Sequence, residues 1–274
     1  MKNRLIIVRG GGDLATGTIH RLWSSGYPVL VLETESPAAI RRKVAVSEAV
    51  YDGSAVVEGM CAVRIESAEA AKRVIEEGKV PVLVDPAGKS IALLSPAVVV
   101  DAILAKRNLG THRQMAPLTI ALGPGFEAGQ DVDVVIETKR GHNLGRIYRS
   151  GFAAPDTGIP GLIAGYGAER VIHAPGTGTI RTLCSIGDNV KAGEEIARIM
   201  GPDGSSCSVT ATIPGILRGI IRDGYPVTCG FKIADIDPRE SERENCDTIS
   251  DKARCIAGSV LEVIVAFINS CNNQ

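Results

Sequence analysis

The stretch "LIIVRGGGDLATGTIHRLWSSGYPVLVLE", residues 5–33, decides how the first half of the chain folds. "LIIV" has the unbroken apolar character of a buried strand. Three glycines follow. Ala15, Ile19 and Leu22 then fall at i, i+4 and i+7, one face of a helix that Gly26 ends. "PVLVLE" is a second strand, closing on Glu33. Gly10, Gly12 and Ala15 fit G-x-G-x-x-A. In that turn the first glycine permits a tight bend and the second lets the backbone approach a pyrophosphate. The small third residue lets helix and strand pack closely, and the helix N-terminus supplies amide donors. Glu33 stands where an acid takes a ribose 2′-hydroxyl and disfavours a 2′-phosphate. The candidate cofactor-binding residues here are Gly10, Gly11, Gly12, Asp13, Leu14, Ala15, Thr16 and Glu33. The alternative is a glycine turn that serves strand–helix packing alone. A P-loop is excluded, because Thr18 stands where the phosphate-binding lysine belongs.

Alternation continues downstream. "SAEAAKRVIEEG" predicts a helix from a Ser67 cap to Gly78, and "VPVLVDP" a strand. "SPAVVVDAILAKRNLG" predicts a helix capped by Ser95, with Pro96 at its first position and Gly110 as terminator. "PLTIALGPGF" predicts a strand running into a glycine–proline loop. The fold class expected is α/β, a Rossmann-like parallel sheet over 1–112, with a connecting α/β segment over 113–170. Ligands in such sheets sit at the carboxyl ends of strands, so Gly123 and Gly125 join the candidate binding residues, an ordinary turn being the alternative. "VIETKRGHNLGRIY" adds Arg140 and His142. An arginine–histidine pair suits a phosphate or carboxylate, and a solvated basic turn is the alternative. His142 is also a candidate acid/base.

Residues 174–199 and 211–236 repeat at an offset of 37, with Gly178/Gly215, Arg181/Arg218, Gly187/Gly224 and Gly193/Gly230 among the identities. Each half is strand, turn, strand, and neither buries a face alone. Together they predict a barrel-sandwich hybrid of the biotinyl/lipoyl type over 171–238. Its linking stretch "MGPDGSSCSVT" has no lysine to modify, so carrier chemistry is absent. Cys207 in that stretch is a candidate catalytic thiol, an indifferent cysteine being the blander alternative. Asp235 and Asp237 share a face in an extended segment and are weak metal candidates; an ion pair with Arg239 is the other reading. The tail, 239–274, predicts a helix capped by Ser250 with an Ile256, Val260, Ile264, Phe267 stripe.

With 30 basic and 31 acidic residues, bulk charge gives no reason to expect nucleic acid or an anionic membrane as partner. Seven cysteines contain no CxxC pair and fit a reducing cytosol. The apolar run before Arg9 is too short for a signal h-region, and "VLEVIVAFI" too short to span a bilayer. A cytoplasmic location is expected.

Taken in order, "RGGGDLATG", "ALGPGF", "VIETKRGHNLGRI", "IGDNV", "KIADIDPR" and "SDKAR" resemble the YqeB-type accessory proteins of selenium-dependent molybdenum hydroxylases. The "AGS" at 257–259 is less glycine-rich than the resemblance leads one to expect. The resemblance implies a maturation factor with a molybdenum hydroxylase client, and assigns no catalytic residue. On that footing the turn would hold NAD, FAD or a molybdopterin dinucleotide. An NAD-dependent oxidoreductase is the alternative, though no Tyr-x-x-x-Lys pair follows the fingerprint. A non-catalytic interaction protein with an empty Rossmann-like domain is the third. A homo-oligomer stays open.

Overall fold

In a computed structural model, which describes residues 4–158 and 161–272, the chain divides into two compact units. Unit 1 comprises Met1–Pro37, Ala45–Thr157 and Ile249–Gln274; unit 2 comprises Ala38–Val44 and Gly158–Thr248.

Unit 1 opens as its apolar spacing dictates, with β1 (Ile6–Arg9), α1 (Asp13–Ser24) and β2 (Val29–Glu33). It continues through α2 (Ala49–Asp52), β3 (Ser54–Val57), β4 (Met60–Ile65), α3 (Ala71–Glu76), β5 (Val80–Val84), α4 (Lys89–Leu94) and β6 (Val98–Asp101). Next come β7 (Leu118–Leu122), β8 (Glu127–Ala128), β9 (Val134–Ile136), β10 (Ile147–Tyr148) and β11 (Gly151–Phe152). Nine strands form one sheet in the order β10-β9-β7-β6-β1-β2-β5-β4-β3, and β8 pairs with β11. The run from β9 to β4 is parallel; β10 and β3 are antiparallel edges. The chain leaves β1 for β2 on one side and later returns to β6 on the other. Ligand crevices form at such a reversal, beyond the carboxyl ends of the strands.

Unit 2 holds β12 (Val171–His173), β13 (Gly178–Thr182), β14 (Asn189–Val190), β15 (Glu195–Met200), β16 (Ser206–Thr210), β17 (Gly215–Ile220), β18 (Pro226–Val227) and β19 (Lys232–Asp237). These make two four-stranded antiparallel sheets, β12-β19-β17-β14 and β16-β15-β13-β18. The 37-residue repeat is visible in them: β13, β14 and β15 repeat as β17, β18 and β19, and each short middle strand joins the other half's sheet. A Cβ on Gly178 would lie 2.1 Å from the Met200 carbonyl oxygen, and one on Gly215 would lie 2.3 Å from that of Asp237, again 37 residues on. Ile180, Ile196, Ile199, Ile216, Leu217, Ile233 and Ile236 close the core between the sheets.

The expected architecture is corrected on several counts. The large sheet is mixed, and β7, β9 and β10 extend it beyond residue 112. The segment predicted as a helix from Ser95 to Gly110 contains β6, buried mid-sheet; "VVVD" is the continuous β-branched run of a strand covered on both faces, and helix periodicity does not distinguish it. In place of a biotinyl/lipoyl-type barrel confined to 171–238, unit 2 is a pair of sheets that adds β12 and β16 outside the repeated cores and draws in 38–44. The tail helix, α5 (Asp251–Asn272), belongs to unit 1.

By length and composition alone α5 could cross a membrane. Its Ala253, Ile256, Ala257, Val260, Val263 and Ile264 are buried, and it packs on α1, β7 and β9, as a core helix does. The Ser250 hydroxyl accepts the Ala253 amide at 3.2 Å, capping the helix. Glu58 ties its start to the β3–β4 hairpin, accepting the Ile249 amide at 2.8 Å and both carboxylate contacts of Arg254 at 2.6 and 2.7 Å. Gly17 is what lets the two helices meet. A Cβ there would lie 2.7 Å from the Ala253 Cβ and 3.0 Å from its carbonyl.

Two alanine substitutions separate helix propensity from packing. Alanine favours a helix over glycine by about 1 kcal/mol. Gly258→Ala, with open space around its Cβ, is expected to raise the urea midpoint accordingly. Gly17→Ala is expected to lower it, because overpacking of about 1–3 kcal/mol outweighs the propensity gain. An unchanged or raised midpoint for Gly17→Ala would show that the α1–α5 contact yields freely.

Candidate functional site

The glycine turn lies at the carboxyl end of β1, and its central amide is already occupied. The Gly11 N–H donates to the Glu33 carboxylate at 2.6 Å, and the Thr34 N–H donates to the other oxygen at 2.9 Å. Glu33 is buried. The segment 45–48 seats on the same turn. The Ser47 N–H donates to the Gly11 carbonyl at 2.9 Å, and the Val46 N–H to the Thr16 hydroxyl oxygen at 3.0 Å. A Cβ on Gly11 would meet the Ser47 nitrogen at 3.0 Å; one on Gly10 would meet the Ala102 carbonyl oxygen at 2.9 Å. Tight packing on two sides and an internal carboxylate thus use the backbone freedom these glycines provide. Burial pushes the Glu33 carboxyl above its ordinary range, and the two amides pull it partly back.

Beside it the reversal between β1 and β6 is filled from within. Arg9 and Asp101 are both almost wholly buried, 3.9 Å apart. The Thr111 hydroxyl accepts from Arg9 and donates to Asp101, while Arg9 also donates to the Pro86 carbonyl at 3.0 Å. Burial again raises the Asp101 carboxyl, opposed by Thr111, the Ile103 amide and Arg9. Sequence reading missed this pair: each residue sits at the end of a buried strand, 92 positions from its partner, counted from 9 to 101.

Further along the same edge, four loops and the start of α5 converge. Gly125 packs against the 104–107 loop, where its Cβ would lie 2.6 Å from the Arg107 Cα, and a Cβ on Gly123 would lie 2.6 Å from the Thr138 hydroxyl. Leu104 and Lys106 in that loop adopt φ of 60° and 62°, a conformation costly for residues with side chains. Lys106 pairs with Asp156 at 2.7 Å. Glu137, buried after β9, accepts the Lys139 amide at 2.7 Å and the Ala154 amide at 2.8 Å. Arg140 grips Asp251 through two contacts of 2.7 and 3.1 Å, and the Ser259 hydroxyl donates to the Gly145 carbonyl at 2.6 Å. The loop 137–146 is thereby fastened to α5.

Lys252 follows Asp251 at the start of α5. It is half-buried, with Asp13, Glu137, Asp156 and Arg140 within electrostatic range. Among the described residues its side chain makes no hydrogen bond and no ion pair. Burial holds its ammonium below the usual lysine range; Arg140 lowers it further, and the three carboxylates oppose this. Lys252 escaped notice as a functional residue, although "SDKAR" contains it, because its setting depends on four loops distant in sequence.

The other expected site residues distribute as follows. Leu14, Ala15 and Thr16 form the first turn of α1, with Ala15 and Thr16 buried. His142 is exposed in the 137–146 loop. Cys207 lies on β16 in unit 2, half-buried opposite Ile199. Asp235 pairs with Arg170 at 3.2 Å and Arg218 at 3.8 Å; Asp237 accepts Arg239 at 2.8 and 2.9 Å. Among the described residues no group of three or more His, Cys, Asp or Glu is placed to hold a metal ion.

Replacing Glu33 tests the seating of its carboxylate. Because burial raises its folded-state pKa, the folded chain binds the proton more tightly than the unfolded chain. That contribution favours folding below the ordinary glutamate range and is lost as pH rises toward the raised value. Glu33→Gln is expected to remove this falling component, so the stability difference, variant minus wild type, grows with pH across that window in urea titrations. A difference independent of pH would refute the buried-carboxylate assignment.

No protein-family model matches the chain. It is 47% identical over 267 residues to the uncharacterized protein YqeB of Escherichia coli (strain K12), covering 97% of this chain and 48% of that one. Solved structures with some likeness include the product-bound ectoine utilization protein EutE (DoeB) from Ruegeria pomeroyi, at 14% identity, 84% of this chain, 56% of that chain and a TM-score of 0.25. A succinylglutamate desuccinylase from a Silicibacter species gives 11% identity, 85% and 84% coverage and a TM-score of 0.27. An aspartoacylase family protein from Mesorhizobium loti gives 14% identity, 87% and 86% coverage and a TM-score of 0.30. At such scores they set no activity for this chain. Neither they nor YqeB supply a molybdenum-hydroxylase accessory role, a nicotinamide oxidoreductase or a Rossmann nucleotide-binding protein. With the turn's central amide held by Glu33, the expected accessory factor gripping NAD, FAD or molybdopterin dinucleotide is corrected. So are the NAD-dependent oxidoreductase and the empty Rossmann-like interaction protein. Over nearly its whole length the chain is YqeB-like, and it spans about half the length of the curated relative it matches.

Proposed function

We propose that unit 1 binds a small carboxylate-bearing metabolite at the carboxyl edge of the large sheet, with Lys252 meeting its charge. The observation that carries this reading is Lys252, a half-buried cation with no direct partner among the described residues, at the meeting point of four loops. An ammonium withdrawn from water without a contact partner is costly, and an anionic ligand would supply the missing contact. The Arg140–Asp251 pair beside it fixes the start of α5, and the first turn of α5 adds its positive dipole end. The glycine turn and the Arg9–Asp101 pair act in this scheme as internal supports that fix the edge, not as ligand contacts. We place this activity in the cytoplasm; all seven cysteines are free thiols, as a reducing compartment keeps them.

Thermal unfolding of the full chain in the presence of pyruvate, oxaloacetate, succinate and inorganic phosphate tests the reading. A ligand at a hundred times its dissociation constant stabilises by about 2.7 kcal/mol. A carboxylate is expected to raise the Tm of wild type and to lose most of that effect in Lys252→Met. No shift with any carboxylate, or a shift that survives Lys252→Met, would overturn it.

A further inference from the structure

We propose that the loop joining β9 to β10 is a docking surface for an acidic segment of another protein, met by the side chains of Lys139, Arg146 and Arg149. It uses side chains other than Lys252 and goes beyond the binding reading above.

Three observations carry it. The first is charge left without a partner. Residues 138–155, "TKRGHNLGRIYRSGFAAP", contain Lys139, Arg140, Arg146 and Arg149 and no aspartate or glutamate, in a chain whose net charge is −1. Arg140 is engaged by Asp251. Lys139, Arg146 and Arg149 are exposed, and among the described residues none of their side chains closes on a carboxylate. Several exposed cations elsewhere in unit 1 do: Arg64 on Glu66 at 3.1 Å, Lys72 on Glu76 at 3.9 Å, Arg73 on Glu77 at 3.7 Å and Arg113 on Asp133 at 2.8 Å. Like charges left together repel, and an acidic partner relieves that repulsion.

The second observation is that the chain itself sets the shape of the loop. The Leu144 amide donates to the Gly141 carbonyl at 3.1 Å, the Arg146 amide to the Asn143 carbonyl at 2.9 Å and the Gly145 amide to the Glu137 carbonyl at 3.0 Å. The Ser259 hydroxyl fastens the Gly145 carbonyl to α5. A surface ordered in advance avoids part of the entropic cost of association.

The third is the kind of surface. β10 is an end strand of the nine-stranded sheet, and Arg146 and Arg149 bracket it. An end strand offers backbone groups to an extended segment of another chain. Three residues beyond Arg149, Phe152 is 64% exposed. Arginine and aromatic rings are the residues that protein interfaces enrich. A nucleic acid is a poorer match, because the isoelectric point of the chain is about 6.4 and a long polyanion would also meet its acidic remainder.

Fluorescence anisotropy on the full chain tests this, with a fluorescein-labelled peptide of eight glutamates flanking one central leucine as probe. Wild type is expected to bind it in about 0.01 M salt and more weakly in about 0.15 M, where the screening length has shortened from about 30 to about 8 Å. Arg146→Glu/Arg149→Glu is expected to weaken binding at least about tenfold, and Arg146→Gln/Arg149→Gln by a smaller factor; both side chains are exposed, and an unchanged urea midpoint checks that the fold is kept. Lys72→Glu/Arg73→Glu makes the same change in net charge on α3, which packs on β5, far from β10 in the strand order. It is expected to keep the affinity within about twofold. No binding by wild type, or an equal loss in the two charge reversals, overturns the proposal. So does a decathymidylate strand or a phosphatidylserine vesicle held more tightly than the peptide through the same two arginines. The carboxylate-dependent Tm shift is expected to survive Arg146→Glu/Arg149→Glu, because Lys252 is untouched, so the two readings fail separately.

Discussion

The hydrogen bond from the Gly11 amide to the buried Glu33 carboxylate governs what the rest of unit 1 can do. A glycine turn between a strand and a helix collects inward-pointing N–H groups at the positive end of a helix dipole, and such a turn takes an anion. Here the anion is the chain's own. Glu33 reaches it from the end of the neighbouring strand, and the Ser47 amide closes on the Gly11 carbonyl from the other side. The turn is consequently a joint. It locks β1, β2, α1 and the 45–48 segment into one block, and it leaves the chemistry of the carboxyl edge to other residues.

The same solution recurs at the reversal between β1 and β6. An open crevice there would expose the ends of two central strands. Arg9, Asp101 and Thr111 fill it with a buried ion pair bridged by a hydroxyl. Buried pairs of this kind contribute little net stability, but removing one partner strands the other at a cost of about 3–5 kcal/mol. Their value in this fold is positional. Asp101 also accepts the Ile103 amide, which sets the path of the 102–107 loop and with it the strained Leu104 and Lys106. Internal charge therefore closes the center of the edge between β1 and β6.

Local signals in the sequence were legible where one face decides the structure. The Ala15, Ile19, Leu22 spacing gave α1, the Ser250 cap and the Ile256, Val260, Ile264 stripe gave α5, and the offset of 37 in unit 2 has a direct cause in the paired contacts of Gly178 and Gly215. Misreading came where burial is complete. "VVVDAILA" satisfies helix spacing as well as a strand run, and only its place between β1 and β7 makes it β6. The turn at Gly10–Gly12 misled for a related reason. Its residues fit a pyrophosphate grip because a carboxylate asks for the same donors, and Glu33, expected on a ribose, is the group that takes them.

What remained hidden in the sequence is the setting of Lys252, and the cause is physical. A lysine at the second position of a helix is ordinarily a solvated cation. It becomes unusual here because Gly17 admits α5 to close contact with α1. That approach sets Lys252 beside the start of α1, within electrostatic range of Asp13, Glu137 and Asp156, and Arg140 and Glu58 hold Asp251 and Arg254 on either side. The setting of Lys252 is thus coupled to helix packing. Pressure on the α1–α5 contact bears on the position of Lys252 relative to Asp13 and Glu137 together, since Asp13 begins α1 and Glu137 follows β9, on which α5 packs.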